Sequence, residues 1–210
     1  MAKRRVLPLA IAAALVAATT GAAAAPSLRN IVLSPAQVGA GYRASEIPGG
    51  TVVEGQVTLD LCSASFPSER LRVARLQVSY ARLGMALQVS NEVVRYRPGG
   101  AQQALREVTH AANHCPRGPV KSPIAGAPPV TYRLTMITDP RLLPGYLAVR
   151  VHLRGKYKGK IFVVNAVGVY QVKGNVFSGV YTNGRGTMAA QLRLGLHAAE
   201  ESAKNLLRPA

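Results

Sequence analysis

The stretch KIFVVNAVGVYQVKGNVFSGVYTNG, residues 160–184, sets the reading of the chain. Val, Ile, Phe and Tyr fill two blocks, and Lys-Gly-Asn separates Val172 from Val176. Two β-rich blocks joined by so short a turn are antiparallel neighbours. The same habit recurs on the N-terminal side. VARLQVSYARL (73–83) and ALQVSNEVVRYR (86–97) alternate apolar and polar residues on either side of a short Gly-Met interval, which reads as a second hairpin. VTYRLTMIT (130–138) and YLAVRVHLRG (146–155) add two further strands. In VVEGQVTLDL (52–61), Val53, Val57, Leu59 and Leu61 fall on one side, which predicts a first strand ending at Cys62. Such alternation implies a sheet with one face on a core and one face wetter.

Two segments change period. In GGAQQALREVTHAANHCP (99–116), Ala101, Leu105, Val108, Ala112 and Cys115 recur every three or four residues, and Pro116 stops them. In MAAQLRLGLHAAEESAKNLLRP (188–209), Met188, Leu192, Leu196, Ala199, Ala203 and Leu206 make a stripe too long to leave in water. A short helix is expected in SPAQVGAGY (34–42), with Ser34 as cap and Pro35 at the first helical position. These elements define an α+β fold: an antiparallel β-sheet with packed helices, the last one long and C-terminal.

The chain has 210 residues and opens with a basic Lys3-Arg4-Arg5 and an apolar run. Small residues then lead to Pro26, the pattern of an export signal over residues 1–25. Residues 26–210 are read as one domain, and no later run is long enough to cross a membrane. Within it, PRGPVKSPIAGAPPV (116–130) holds five prolines and two glycines and reads as a loop, a candidate groove rim. After residue 25 the chain keeps 23 of its 26 Lys/Arg against all nine Asp/Glu, a surplus of +14. Such a surplus attracts anionic envelope components, or simply coats a solvated surface. The arginines, among them Arg75, Arg95, Arg133, Arg150 and Arg154, are scattered, several alternating with apolar residues as the solvent side of a strand would, and with export expected nucleic acid is not an expected partner.

Cys62, in DLCSASFPSER (60–70), and Cys115 are the two cysteines. In an exported chain two cysteines usually pair. A Cys62–Cys115 bridge would tie the end of a strand to the end of a helix and is worth about 4 kcal/mol by loop entropy. Neither cysteine stands in a CxxC or beside a recognisable base, and two thiolates alone do not complete a zinc site.

Glu107, His110 and His114 share one side of the first long helix and are the candidate metal ligands, although the pattern is not HExxH. Exposed polar residues explain the same spacing. His152 and His197 have no evident partner, and nothing positions Asp60 against Asp139. No serine sits in a GxSxG elbow. Catalytic residues and cofactors are therefore not expected.

The pieces LSPAQVGAGY (33–42), LDLCSASFPSERLR (59–72), NEVVRYRPGGAQQAL (91–105), HCP (114–116) and AAEESAKNLL (198–207) resemble a known family. They are similar to secreted or extracytoplasmic sensor-like domains of actinobacteria, related to the extracellular domain of PknH-type receptor kinases. The resemblance covers residues 28–207. It implies a disulfide-stapled α+β domain with a ligand-receiving cleft and no catalysis. The chain departs from the receptor pattern in having no kinase portion, no internal membrane helix, and cysteines for one bridge where two are expected. Only Cys62 and Cys115 are carried over, as the retained staple.

The leading expectation is a non-catalytic secreted or cell-envelope domain that binds a small molecule or an anionic envelope component. Tyr80, Tyr96, Tyr132, Tyr170 and Arg95 are candidate wall residues of its pocket. The rivals are a structural or protein-interaction module of the envelope and a hydrolase with an unrecognised site. A filled interior with an exposed apolar patch would mark the first rival, and polar groups converging in a cleft the second.

Overall fold

A computed structural model describes residues 27–121, 128–184 and 186–208. The expected export signal lies outside these residues, as does the centre of the Pro/Gly loop.

Two short helices, α1 (Leu28–Ile31) and α2 (Pro35–Val38), precede the sheet. In α2, Ser34 Oγ accepts from the Gln37 amide while the Gln37 side chain accepts from the Ser34 amide. That reciprocal pairing and the N1 proline explain why four residues hold a helix here. The strands are β1 (Tyr42–Glu46), β2 (Arg72–Arg82), β3 (Leu87–Tyr96), β4 (Val130–Met136), β5 (Leu147–Tyr157), β6 (Lys160–Lys173) and β7 (Val176–Gly184). Between β3 and β4 runs α3 (Gly100–Asn113), and α4 (Met188–Leu207) follows β7.

All seven strands pair antiparallel in one sheet, in the order β1-β2-β3-β7-β6-β5-β4. The Lys-Gly-Asn turn closes as its sequence requires: Lys173 pairs with Val176, and Gly174 takes φ +56, a conformation that favours glycine. The β3–β7 pairing welds an N-terminal three-strand meander to a C-terminal four-strand meander.

Helices cover both faces, which revises the expected half-wet sheet. On the first face, Leu76, Val78, Tyr80, Val89, Val93, Val167, Val169 and Val180 form one core with residues of α1, α2 and α4. On the second face, Val94, Tyr96, Tyr132, Val149, Tyr170 and Phe177 form another. α3 and two 3-10 turns, Leu61–Ser63 and Pro67–Leu71, contact that second side. Each such aliphatic or aromatic side chain contributes about 1.5–3 kcal/mol when fully withdrawn from water. Cys62 and Cys115 are bonded to each other, joining the Leu61–Ser63 turn to the residue just beyond α3.

The strand expected over residues 52–61 does not form; the chain there is turn and loop. Arginine side chains bind carbonyls of this loop at three points. Arg75 donates to the oxygens of Gly49 (3.0 Å) and Val52 (3.2 Å), and Arg72 donates to that of Gln56 (2.5 Å). A β-strand does precede this loop, at Tyr42–Glu46, paired along β2.

The face that α4 buries is also turned from the expected stripe. Ala199, Ala203 and Leu206 are buried as predicted, but Gln191, Gly195, Ala198, Ser202 and Asn205 join them. Met188, Leu192 and Leu196 only flank the core.

Candidate functional site

The second face is apolar where α3 lies on it and polar beyond that point. Strand alternation delivers the polar half: Gln77 and Ser79 from β2, Gln88, Ser90 and Glu92 from β3, Tyr181 and Asn183 from β7. The registers Gln77↔Glu92, Ser79↔Ser90, Ser90↔Tyr181 and Gln88↔Asn183 set these side chains side by side on one surface. The loop between β1 and the first 3-10 turn supplies the wall, through Ile47, Val57, Thr58 and Asp60. Together they enclose a hollow of about 450 Å³.

Two arginines at the start of β2 hold the wall in place. The Arg75 guanidinium, 2% exposed, pairs with the equally buried Glu92 carboxylate at 2.7 Å. Its remaining donors reach Gly49, Val52 and the Gln77 amide oxygen (2.9 Å). Thr58 Oγ1 donates to Glu92 (2.9 Å) and accepts from Arg72 (3.0 Å). The Thr58 amide donates to Glu69 (2.9 Å), which Arg72 also approaches at 3.3 Å. A buried ion pair is tolerable only when its other donors and acceptors are met, and the loop carbonyls meet those of Arg75. Arg75 is thus an interior anchor, not the solvent-facing strand residue that its alternation predicts.

Burial raises the pKa of Glu92 above the usual carboxylate value, opposed chiefly by Arg75 and Thr58. Glu69 is raised for the same reason, opposed by the Thr58 amide and Arg72. Withdrawal of its carboxyl from water also raises Asp60, opposed by a backbone hydrogen bond.

Ser90 Oγ in the hollow is buried and has no hydrogen-bond partner among the described residues, while the neighbouring Tyr181 Oη meets the Tyr170 hydroxyl. Tyr181 lies edge-on to Tyr170 with 5.5 Å between ring centres, and its ring crosses Gly179, where a Cβ would collide with it. Burial holds the Tyr181 phenol far above its usual pKa, so it stays a protonated donor. Buried hydroxyls without partners are rare in folded proteins and mark a place for water or ligand. No lysine or arginine lines the hollow, and the two arginines behind its wall are paired, Arg75 with Glu92 and Arg72 with Glu69.

The aromatic wall residues expected from sequence lie elsewhere. Tyr80 belongs to the first-face core and donates to the Leu33 carbonyl. Tyr96, Tyr132 and Tyr170 are interior to the second-face core. Arg95 pairs with Val176, which places it on the first face. Tyr181, which sequence reasoning passed over, is the tyrosine of the hollow; its register opposite Ser90 was the missing signal.

The candidate metal ligands take separate partners. Glu107 accepts from the Ser68 amide (3.0 Å) and hydroxyl (2.6 Å) and from Gln103 (2.7 Å). His110 and His114 stack with ring centres 4.0 Å apart and planes 22° from parallel. Nitrogen lone pairs lie in the ring plane, so near-parallel stacked rings do not aim both nitrogens at one point between them. Among the described residues no group of three His, Cys, Asp or Glu gathers around a point. His152 Nδ1 meets Asn165 Oδ1 at 2.9 Å, and His197 is exposed on α4. Asp139 is held by Arg141, which lowers its pKa, and it shares no partner with Asp60.

No protein-family model matches the chain, and no curated protein sequence matches it. The fold does match a solved structure, the extracellular domain of PknH from Mycobacterium tuberculosis, with a TM-score of 0.50. Identity is 15%, over 84% of this chain and 94% of that one. The chain therefore shares its fold with that extracellular domain, as the sequence resemblance implied, and at this identity the likeness is one of architecture.

Proposed function

We propose that this chain is a non-catalytic extracytoplasmic binding domain whose ligand sits in the polar hollow of the second sheet face. The observation that carries the reading is Ser90 Oγ, buried and without a hydrogen-bond partner among the described residues, beside the Tyr181 phenol and among amides and the Asp60 carboxylate. Such a lining recognises a small polar molecule through directed hydrogen bonds and offers no cation to an anion. Glu92 is held in the Arg75 pair, so the hollow does not present two free carboxylates for acid–base work. Extracytoplasmic placement is supported by the Cys62–Cys115 disulfide, by the expected export signal and by the fold shared with an extracellular domain. No helix among the described residues is long and apolar enough to cross a membrane.

The test is an amide NMR titration of the oxidised protein with a library of small polar, uncharged and cationic compounds. Shifts should cluster at Ser79, Ser90, Tyr181 and Asn183, and Ser90→Val should weaken binding about tenfold by removing one hydrogen-bonding group. Binding that maps to another surface, or none across the library, would refute the assignment.

A further inference from the structure

We propose that the open first face of the β4–β5–β6 edge docks onto the surface of an anionic phospholipid bilayer. The sequence carries no Asp or Glu between Asp139 and Glu200, although that interval spans β5, β6 and β7. Strand register then sorts its cations. Arg150 lies opposite Val167, a first-face core residue, so Arg150, Arg154 and Lys156 point to that side of the sheet. Arg133 joins them from β4, opposite His152. Four cations thus share one surface, spaced about 5 Å across strands and about 7 Å along them. All four are exposed, and none makes a side-chain hydrogen bond or ion pair among the described residues.

Helix α4 does not neutralise them. It packs over β6 and β7, where Gly195 meets Val167 and Thr182. Its carboxylates, Glu200 and Glu201, lie near its other end, and Arg141, Lys204 and Gln37 engage them there.

The same surface also carries exposed aliphatic side chains in register with the cations. Ile161 sits directly opposite Lys156, and Val163 opposite Arg154. They are 59% and 50% exposed, at a point where a soluble domain gains nothing by showing them. A soluble polyanion would satisfy the charges and leave these side chains wet. A bilayer surface takes both: phosphates meet the cations while Ile161 and Val163 enter the headgroup boundary. The inference depends on the extracytoplasmic reading only for where the lipid is met, and it does not involve the hollow.

The test is flotation of the oxidised 26–210 protein with vesicles of 30% phosphatidylglycerol in phosphatidylcholine, against phosphatidylcholine alone. Binding should require the anionic lipid and weaken between roughly 0.05 and 0.5 M salt as screening shortens. Arg154→Gln with Lys156→Gln should lower partitioning roughly 25-fold, about fivefold for each charge near the surface. Ile161→Ser with Val163→Ser should lower it on the order of tenfold. Lys173→Gln, at the far end of β6, should change it less than twofold, and circular dichroism should match wild type in every variant. Equal flotation with neutral vesicles, or wild-type partitioning by the double charge variant, overturns the proposal. So does full competition by heparin combined with no effect of the Ile161/Val163 change, which would assign the face to a soluble polyanion.

Discussion

At the scale of single residues the hollow depends most on Arg75 and Glu92. Each is charged, 2% exposed, and balanced mainly by the other. Removing one partner leaves a bare buried charge and is expected to cost about 3–5 kcal/mol, whereas removing both need not. Arg75→Met should therefore lower unfolding free energy by that amount in urea titrations, and Arg75→Met with Glu92→Met should recover much of it. A double variant as unstable as the single would show that the loop carbonyls of Gly49 and Val52, not the charge balance, dominate. Glu69 supplies a pH signature. Its folded pKa is raised, so its stabilising share is full below the ordinary value of 4.5 and is lost as pH rises through the folded value. Glu69→Gln mimics the protonated form and removes that loss. The melting temperature of the variant relative to wild type should therefore climb from pH 4.5 toward 7.5; a flat or falling difference would contradict the burial assigned to it. The Arg75–Glu92 pair was not legible in sequence, because alternation reports which side of a strand a residue occupies and not what waits there. Arg75 looked solvent-facing because its partner lies 17 residues away and its carbonyl acceptors lie in a loop.

Helix α4 shows how far periodicity reaches at the scale of elements. Its existence, its length and three of its buried positions follow from apolar spacing. Its rotation does not, because polar bonds to the sheet set it: Gln191 to Thr182 (2.9 Å), Ser202 to Ser178 (2.7 Å), and Asn205 to the Ile31 carbonyl (3.1 Å). Those bonds bring forward a side of the helix that an apolar count ignores. The sheet-facing turn there is Gly195, where an added Cβ would stand 3.1 Å from both Thr182 and Val167. Gly195→Val should destabilise by about 1–3 kcal/mol through overpacking. Arg193→Val, exposed on the same helix, should cost only a few tenths of a kcal/mol in helix propensity. Equal effects in thermal unfolding would mean that α4 is not seated on Gly195. The 52–61 loop failed as a predicted strand for a related reason. Its apolar alternation was genuine, but no strand edge pairs with it, and Arg72 and Arg75 hold it as a loop through the carbonyls of Gly49, Val52 and Gln56.

The whole molecule is one sheet clad on both faces, and its strands should differ in stability by position. β3 and β7 are central, paired on both edges, and carry core residues on both sides, whereas β1 and β4 are the outer strands, each laddered to a strand on one side alone. Amides of β3 and β7 should therefore exchange hydrogen only through global unfolding, and those of β1 and β4 through local fraying. The Cys62–Cys115 bond closes a span of 53 residues, containing β2, β3 and α3, and so acts on the unfolded chain as a whole. Its loss, as Cys62→Ser with Cys115→Ser, should lower global stability by about 4 kcal/mol if chain entropy is the cause. Exchange in β3 and β7 should then accelerate on the order of a thousandfold, the same free energy read as a rate. The already frayed edges β1 and β4 should change little, since their opening does not pass through the unfolded chain. Acceleration confined to α3 and the Leu61–Ser63 turn would mean instead that the bond is a local clamp on one face, and that the sheet owes its stability to the two cores alone.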